Sequence, residues 1–169
     1  MKEPTLTRMQ ESVSSLKKDF IEWSDALSVG VEEVDQHKGL AQMVNELNGA
    51  IHGGWGKETR DDIIVKLLEY TRVHFATEES LMSISNYPHL KEHKKQHENL
   101  IDIVKAYVKK YNENPEASNY EFLFFLKRWL VEHIMKDDKL MGEYLIKTGS
   151  VKTKKPTSWW GGLRKPFGH

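Results

Sequence analysis

The chain has 169 residues, a length that suits one domain with room for terminal extensions. It contains no cysteine, which excludes disulfides, iron–sulfur clusters, thiolate zinc sites and cysteine nucleophiles. Its 25 basic and 25 acidic residues balance, so the whole chain carries no charge signal for nucleic acid and we expect no such partner.

No stretch of the sequence has the pattern of a targeting or membrane-spanning segment. The N-terminus lacks an apolar run of signal-peptide length. Nowhere does the chain approach the roughly 20 apolar residues of a membrane span. We therefore expect a cytoplasmic protein, and we expect it to be a monomer.

The chain begins with a polar N-terminal extension, residues 1–19, followed by an apolar arm. Four apolar residues of the extension are spaced three or four positions apart: Leu6, Met9, Val13 and Leu16. That spacing fits a short amphipathic helix, and a frayed extension is an equally good interpretation. Phe20 to Val34 shows no sustained helical period, so we predict an arm of extended chain packed over the core.

Four amphipathic segments follow the arm. Apolar residues recurring every three or four positions predict helices over residues 35–52, 59–84, 89–111 and 120–145. Gly53 and Gly54 end the first of them, and Pro88 separates the second from the third. The last predicted helix carries the apolar residues Leu123, Leu126, Leu130, Ile134 and Leu140. This pattern predicts an all-α fold, an antiparallel up-down-up-down four-helix bundle over residues 20–146.

The last stretch, residues 147–169, has six basic residues and no acidic one. Gly, Pro, Ser, Thr and Lys dominate it, and we predict a flexible tail. Its aromatic residues Trp159, Trp160 and Phe167, set among cations, could bind an anionic protein or membrane surface. A solvated tail with incidental aromatic residues is the alternative.

Two of the predicted helices carry pairs of residues that can bind metal. His74 and Glu78 are four residues apart, and so are His93 and His97. Residues four apart lie one above the other on one face of an α-helix. Each pair can therefore direct both of its side chains into the same gap between helices.

The other two helices complete the set. His37 lies near the start of the first helix, and His133 precedes Asp137 and Asp138 in the last. Five histidines and at least two carboxylates exceed the four ligands of a tetrahedral zinc site. They suit two five- or six-coordinate metals that share bridging carboxylates.

These residues resemble the hemerythrin family in its bacterial form. The matching segments are His37, His74-Phe-Ala-Thr-Glu78, His93-Lys-Lys-Gln-His97 and His133-Ile-Met-Lys-Asp-Asp138. Shorter matches are Asp35-Gln36-His37, Tyr87-Pro88, Trp23-Ser24 and Trp129-Leu130. The resemblance covers about residues 20–145.

The resemblance implies a non-haem di-iron centre with an oxo or hydroxo bridge. The implied ligands are His93, His97 and His133 for one iron, His37 and His74 for the other, and Glu78 and Asp138 as bridges. The two-histidine iron would keep an open position, where O₂ binds and is held as hydroperoxide.

Helical spacing and the family pattern disagree about the last ligand. Asp137 lies about 40° from His133 around a regular helix, and Asp138 about 140°. The family pattern has its ligand five residues after the histidine, so we choose Asp138. We then expect Asp137 to be a solvated surface acid.

An O₂ site needs a dry, apolar pocket. Leu40, Phe75, Trp129 and Ile134 lie a turn or less from the implied ligands, and we predict that they form it. Ordinary core packing would place them similarly, and the two roles coincide. Trp23 is predicted to cover the ligand end of the bundle.

Reversible O₂ binding for storage, delivery or sensing is the favoured function, with no catalytic residue assigned. One alternative is a di-iron oxidase, peroxidase or nitric-oxide-handling enzyme. Ferritin-like di-iron enzymes use carboxylate-rich sites with Glu-x-x-His spacing, whereas this chain has His-x-x-x-Glu. Another alternative is an O₂- or redox-responsive module that docks through its tail.

Overall fold

A computed structural model of the chain describes residues 19–31, 36–114 and 119–151. The apolar stripe of residues 1–18 and most of the basic tail, from residue 152 onward, lie outside these ranges. No helix within the described ranges is long and apolar enough to cross a membrane.

The described residues form four antiparallel rods. These comprise α1 (His37–His52), α2 (Lys57–Ile84), α3 (Leu90–Glu113) and a last rod made of α4 (Asn119–His133), a π-helical turn (Ile134–Asp138) and α5 (Lys139–Lys147). The predicted all-α four-helix bundle is confirmed.

Helical periodicity decides which residues form the core. In α1, Leu40, Val44 and Leu47 follow one another at intervals of four and three residues, and all are buried. In α3, Leu100 and Val104 are four residues apart, and both are buried. Each fully buried side chain of this kind contributes roughly 1.5–3 kcal/mol of transfer free energy, so the stripes hold the rods together.

The π-helical turn changes which residues of the last rod face the core. A π turn bonds residue i to residue i+5, so it rotates the residues after it relative to a regular helix. Leu140 is consequently 54% exposed, whereas Gly142 is buried. Leu140, one of the apolar residues that the sequence analysis names in this helix, therefore lies outside the core.

The arm lies across the first and last rods. The Ile21 backbone N–H donates to Asn45 Oδ1 at 2.7 Å, and Asn45 Nδ2 donates to the Ile21 carbonyl at 3.0 Å. The arm is not extended throughout, because a single 3₁₀ turn (Asp25–Leu27) lies against the π-helical turn. The arm therefore reaches from the middle of α1 to the end of the bundle where the π turn lies.

Gly142 allows the arm to approach α5 closely. A Cβ added there would lie 2.8 Å from the carbonyl oxygen of Val29. We expect Gly142→Ala to lower the free energy of unfolding by about 1–3 kcal/mol, the usual cost of overpacking. Chemical denaturation followed by circular dichroism measures the change.

Gly49 provides the matched control, because it is also a helical glycine. A Cβ added at Gly49 meets nothing within 4 Å. Gly49→Ala should therefore raise the free energy of unfolding by about 0.4–1 kcal/mol, through lost freedom in the unfolded chain. Similar effects from both substitutions would contradict the close packing of the arm.

Candidate metal centre

The seven residues named as implied ligands converge at one end of the bundle. Each is buried, with at most 4% of its surface exposed: His37, His74, Glu78, His93, His97, His133 and Asp138. Antiparallel packing produces this convergence, because the start of α1, the end of α2, the start of α3 and the π-helical turn meet there.

The ligand atoms divide into two overlapping groups, each with its atoms within 4.8 Å of one another. One group is Glu78, His93, His97, His133 and Asp138, and the other is His37, His74, Glu78 and Asp138. Both carboxylates belong to both groups. The geometry therefore offers two adjacent metal positions with two shared carboxylates.

The two oxygens of Glu78 face different groups. Its Oε1 lies 3.3 Å from His74 Nε2 and 3.6 Å from His37 Nε2. Its Oε2 lies 3.2 Å from His97 Nε2 and 3.6 Å from His93 Nε2. One carboxylate thus sends one oxygen to each metal position, which is the geometry of a bridge.

Asp138 divides its oxygens in the same way. Its Oδ2 lies 3.0 Å from His37 Nε2. Its Oδ1 lies 3.0 Å from His133 Nε2 and 3.2 Å from His93 Nε2. The second carboxylate therefore also spans the two positions.

The buried carboxylate oxygens of this cluster have few hydrogen-bond donors around them, and a metal ion would satisfy them. The four oxygens of Glu78 and Asp138 accept no hydrogen bond from any described residue, although all are buried. Buried carboxylates without partners are costly, and a shared cation would satisfy them. Imidazole nitrogens with carboxylate oxygens form a donor set that suits iron, zinc or manganese.

The carboxylates also change the pKa values of the histidines around them. Burial lowers the pKa of His37, but Asp138 and Glu78 outweigh it and raise the pKa to about 9. The pKa of His93 rises to about 9 through the same balance. For His133, burial is outweighed by the carboxylates that it contacts, and the pKa again rises to about 9. A metal that binds these nitrogens must displace protons from them.

The pKa values of the two carboxyl groups and of His74 shift in the opposite direction. Burial raises the pKa of Glu78 and that of Asp138, but the surrounding histidines hold the pKa of each carboxyl well below its usual range. Burial lowers the pKa of His74 to about 4, because attraction to Glu78 offsets it only in part. Both carboxylates are therefore charged and able to bind a cation.

The π-helical turn explains why Asp138 reaches the cluster. Because the turn bonds residue i to residue i+5, the fifth residue after His133 returns beneath it. The structure therefore places Asp138 among the ligand atoms, although regular spacing favours Asp137. Single π turns inside helices are frequent at functional sites.

Asp137 is not the solvated surface acid that we predicted. Only 21% of its side chain is exposed, and its Oδ1 accepts a hydrogen bond from Gln96 Nε2 at 3.2 Å. Gln96 Oε1 lies 3.0 Å from Nδ1 of His133, and Asp137 Oδ2 lies 3.6 Å from the same nitrogen. Gln96 therefore holds the ring of His133, and Asp137 holds Gln96 in turn. The prediction is wrong because it considered only the helix of Asp137.

His97 has a corresponding partner. Its Nδ1 lies 3.2 Å from Glu79 Oε1, and Glu79 Oε2 lies 3.2 Å from the Lys94 ammonium. Acceptors of this kind fix the orientation of ligating histidines. The sequence analysis missed Glu79 and Gln96. Their one visible signal is that each lies next to a ligand in the chain, Glu78 and His97 respectively.

Asp137→Ala should leave both metal positions intact but weaken them. Loss of such an outer partner typically costs about 10–100-fold in metal affinity, and we expect the low end because Gln96 remains. Competition with a chelator measures the affinity. Asp102→Ala is the control, since the Asp102 side chain is 75% exposed and pairs with Lys105. Equal affinity in the two variants would contradict a role for Asp137.

An apolar cavity of about 30 Å³ lies beside the ligands. Leu40, Phe75 and Trp129 line it, together with Leu130, whereas Ile134 is buried but not among the lining residues. The sequence analysis did not assign Leu130 to this pocket. Its position on the buried face of α4 is the signal that could have identified it as a lining residue.

Two of the lining rings touch ligands directly. Phe75 stacks on His97 with ring centroids 3.6 Å apart, and Trp129 stacks on His133 at 4.4 Å. The cavity thus reaches the metal end through aromatic contacts. Trp23, predicted to cover this end, is half-buried and packs against the core, and its role as a cover stays a prediction.

A helical bundle that buries a histidine and carboxylate cluster at one end is a metal-binding bundle. Residues 32–145 match the family model described as the Hemerythrin HHE cation binding domain. The chain belongs to the hemerythrin family, and the resemblance identified from the sequence is confirmed.

Named relatives agree with the family. A bacteriohemerythrin of Pseudomonas aeruginosa (strain LESB58) is 37% identical over 150 residues, covering 86% of this chain and 95% of the relative. A bacteriohemerythrin of Stenotrophomonas maltophilia (strain R551-3) is 34% identical over 118 residues, covering 69% and 76%. A crystal structure of wild-type hemerythrin is 32% identical with a TM-score of 0.65, covering 75% of this chain and 98% of that chain.

Proposed function

We propose that this protein binds O₂ reversibly at a non-haem di-iron centre, for storage, delivery or sensing. The proposed ligands are His93, His97 and His133 for one iron, His37 and His74 for the other, and Glu78 and Asp138 as bridges. The observation that carries the proposal is that each buried carboxylate sends one oxygen to each group of histidines. That arrangement fits an oxo- or hydroxo-bridged iron pair.

An iron pair held by these residues would supply the two electrons that reversible O₂ binding requires. The asymmetry of the ligands indicates where O₂ binds. One position has three histidines and the other has two, His37 and His74, with the carboxylates common to both. The position with two histidines would therefore leave more coordination room for O₂.

The residues around the site favour a carrier over an enzyme. Leu40, Phe75 and Trp129 line an apolar cavity, and bulky apolar walls exclude water and stray protons. Tyr70, one turn before His74, donates its hydroxyl proton to the Gln36 carbonyl at 3.1 Å. That hydroxyl is therefore already engaged, whereas an oxidase requires a proton donor directed at its substrate.

An absorption spectrum of iron-loaded protein tests the function directly. Under alternating O₂ and argon, the proposal expects a spectrum that appears with O₂ and disappears when O₂ is removed, over many cycles. Continuous O₂ consumption with an electron donor would instead indicate an oxidase. A single zinc per chain in protein made with adequate iron would contradict the di-iron centre itself.

Removing bulky side chains from the cavity lining should shorten the lifetime of the oxygenated protein. Leu40→Ala and Trp129→Ala should admit water and speed autoxidation about tenfold, equivalent to about 1.4 kcal/mol of barrier, without changing the iron content. The decay of the oxygenated spectrum measures the rate. Leu140→Ala is the matched control, because Leu140 is 54% exposed. Unchanged autoxidation in the two pocket variants would contradict exclusion by these side chains.

A further inference from the structure

The outward side of the last rod carries apolar side chains that the described residues leave uncovered. Phe124 is 63% exposed, and Met135, in the π-helical turn, is 43% exposed. Together with their neighbours they form what we call the α4 outer face: Glu121, Phe124, Phe125, Lys127, Arg128, Val131, Glu132 and Met135. Exposed apolar surface of this kind commonly marks a site of interaction.

The chain enters the described structure beside this face. Phe20, the second described residue, packs edge-on against Phe124 with ring centroids 5.4 Å apart. The Lys127 ammonium lies 4.6 Å from the centroid of the Phe20 ring. The 18 residues that precede the described part of the chain are therefore attached at one end of the α4 outer face.

The sequence of those residues matches an apolar helix surface. Their apolar stripe, Leu6, Met9, Val13 and Leu16, continues at the same spacing to Phe20, so all five follow a heptad pattern. The last member of the stripe already lies on Phe124. As a helix, residues 6–16 would span about 15 Å, close to the length of rod between Phe124 and Met135.

We propose that residues 1–18 form an amphipathic helix that docks antiparallel to α4 on the α4 outer face of the same chain. The apolar stripe covers Phe124, Val131 and Met135, and the contact between Phe20 and Phe124 sets the register. The N-terminal extension is then a fifth helix of the bundle. None of the residues substituted in its test is a proposed metal ligand, so the test does not depend on O₂ binding.

Cross-linking tests the contact, and the native chain has no cysteine to interfere. In iron-loaded full-length protein, the pair Glu11→Cys and Arg128→Cys should be joined by a short bismaleimide. The control pair combines Glu11→Cys with Val73→Cys on α2, where Val73 is 62% exposed. We expect the first pair to link within one chain at least about tenfold faster, at a rate independent of protein concentration.

Thiol labelling of Arg128→Cys alone gives a second measurement. Replacing Leu6, Met9, Val13 and Leu16 together by serine should speed its reaction with a bulky maleimide about tenfold, as the docked state is lost. Labelling of Val73→Cys should be unchanged by the same replacements. Equal labelling of Arg128→Cys in both backgrounds would overturn the proposal. Cross-links between chains that increase with concentration would also overturn it, in favour of a second copy on this face.

Discussion

Replacing Glu78 by glutamine is expected to abolish the di-iron spectrum and to reduce bound iron from two per chain to less than one. Both oxygens of Glu78 contribute, since Oε1 faces His37 and His74 whereas Oε2 faces His93 and His97. The amide keeps the shape of the side chain but removes the charge that two cations share. Loss of a bridge therefore affects both positions, whereas loss of a terminal histidine affects one.

Glu79→Gln is the matched control, because it makes the same change at the next residue. Glu79 contacts the outer nitrogen of His97 and retains 23% exposure of its side chain. It should keep two irons per chain with lower affinity, as outer partners of ligands do. Metal analysis after desalting compares the variants, and two irons retained by Glu78→Gln would rule out an essential bridge.

Removing iron from the wild-type protein is expected to lower its melting temperature by about 10 °C or more. An ion at 1,000 times its dissociation constant stabilises the fold by about 4.1 kcal/mol, and 1 kcal/mol corresponds to roughly 2–4 °C in a chain of this size. The physical reason is local. Without the cation, the buried oxygens of Glu78 and Asp138 lack hydrogen-bond partners among the described residues.

Calorimetry of iron-loaded and chelator-treated protein measures this difference. Glu78→Gln provides the control, since its melting temperature should respond much less to added iron. Restoring iron to stripped wild-type protein should restore its melting temperature. Equal melting temperatures with and without iron, at confirmed occupancy, would contradict metal-dependent stability.

The arrangement of the helices could be predicted because apolar residues repeat with the helical period. Leu40, Val44 and Leu47 illustrate it, since their spacing alone places them on one buried face. The same period groups His74 with Glu78. Convergence of the histidines and Glu78 then follows from antiparallel packing, whereas the choice of Asp138 rested on the resemblance to the hemerythrin family.

What could not be predicted depends on departures from that period and on contacts between helices. The π-helical turn has no obvious sequence signal, so regular helical spacing favoured Asp137 over Asp138. Gln96 reaches His133 from a different helix, and no local pattern records such a partner. These features arise when the helices pack, and they require tertiary structure.

The arm couples the opening of the first rod of the bundle to that of the last rod. In sequence, α1 and α5 are far apart, yet the arm is bonded to Asn45 of α1 and packs against Gly142 of α5. These first and last rods also carry His37 and Asp138, so neither end can fray without disturbing the contacts of the other. Local opening at the seam between the rods is thereby joined into one cooperative event. We therefore expect amide hydrogens on both sides of that seam to exchange as a single unit.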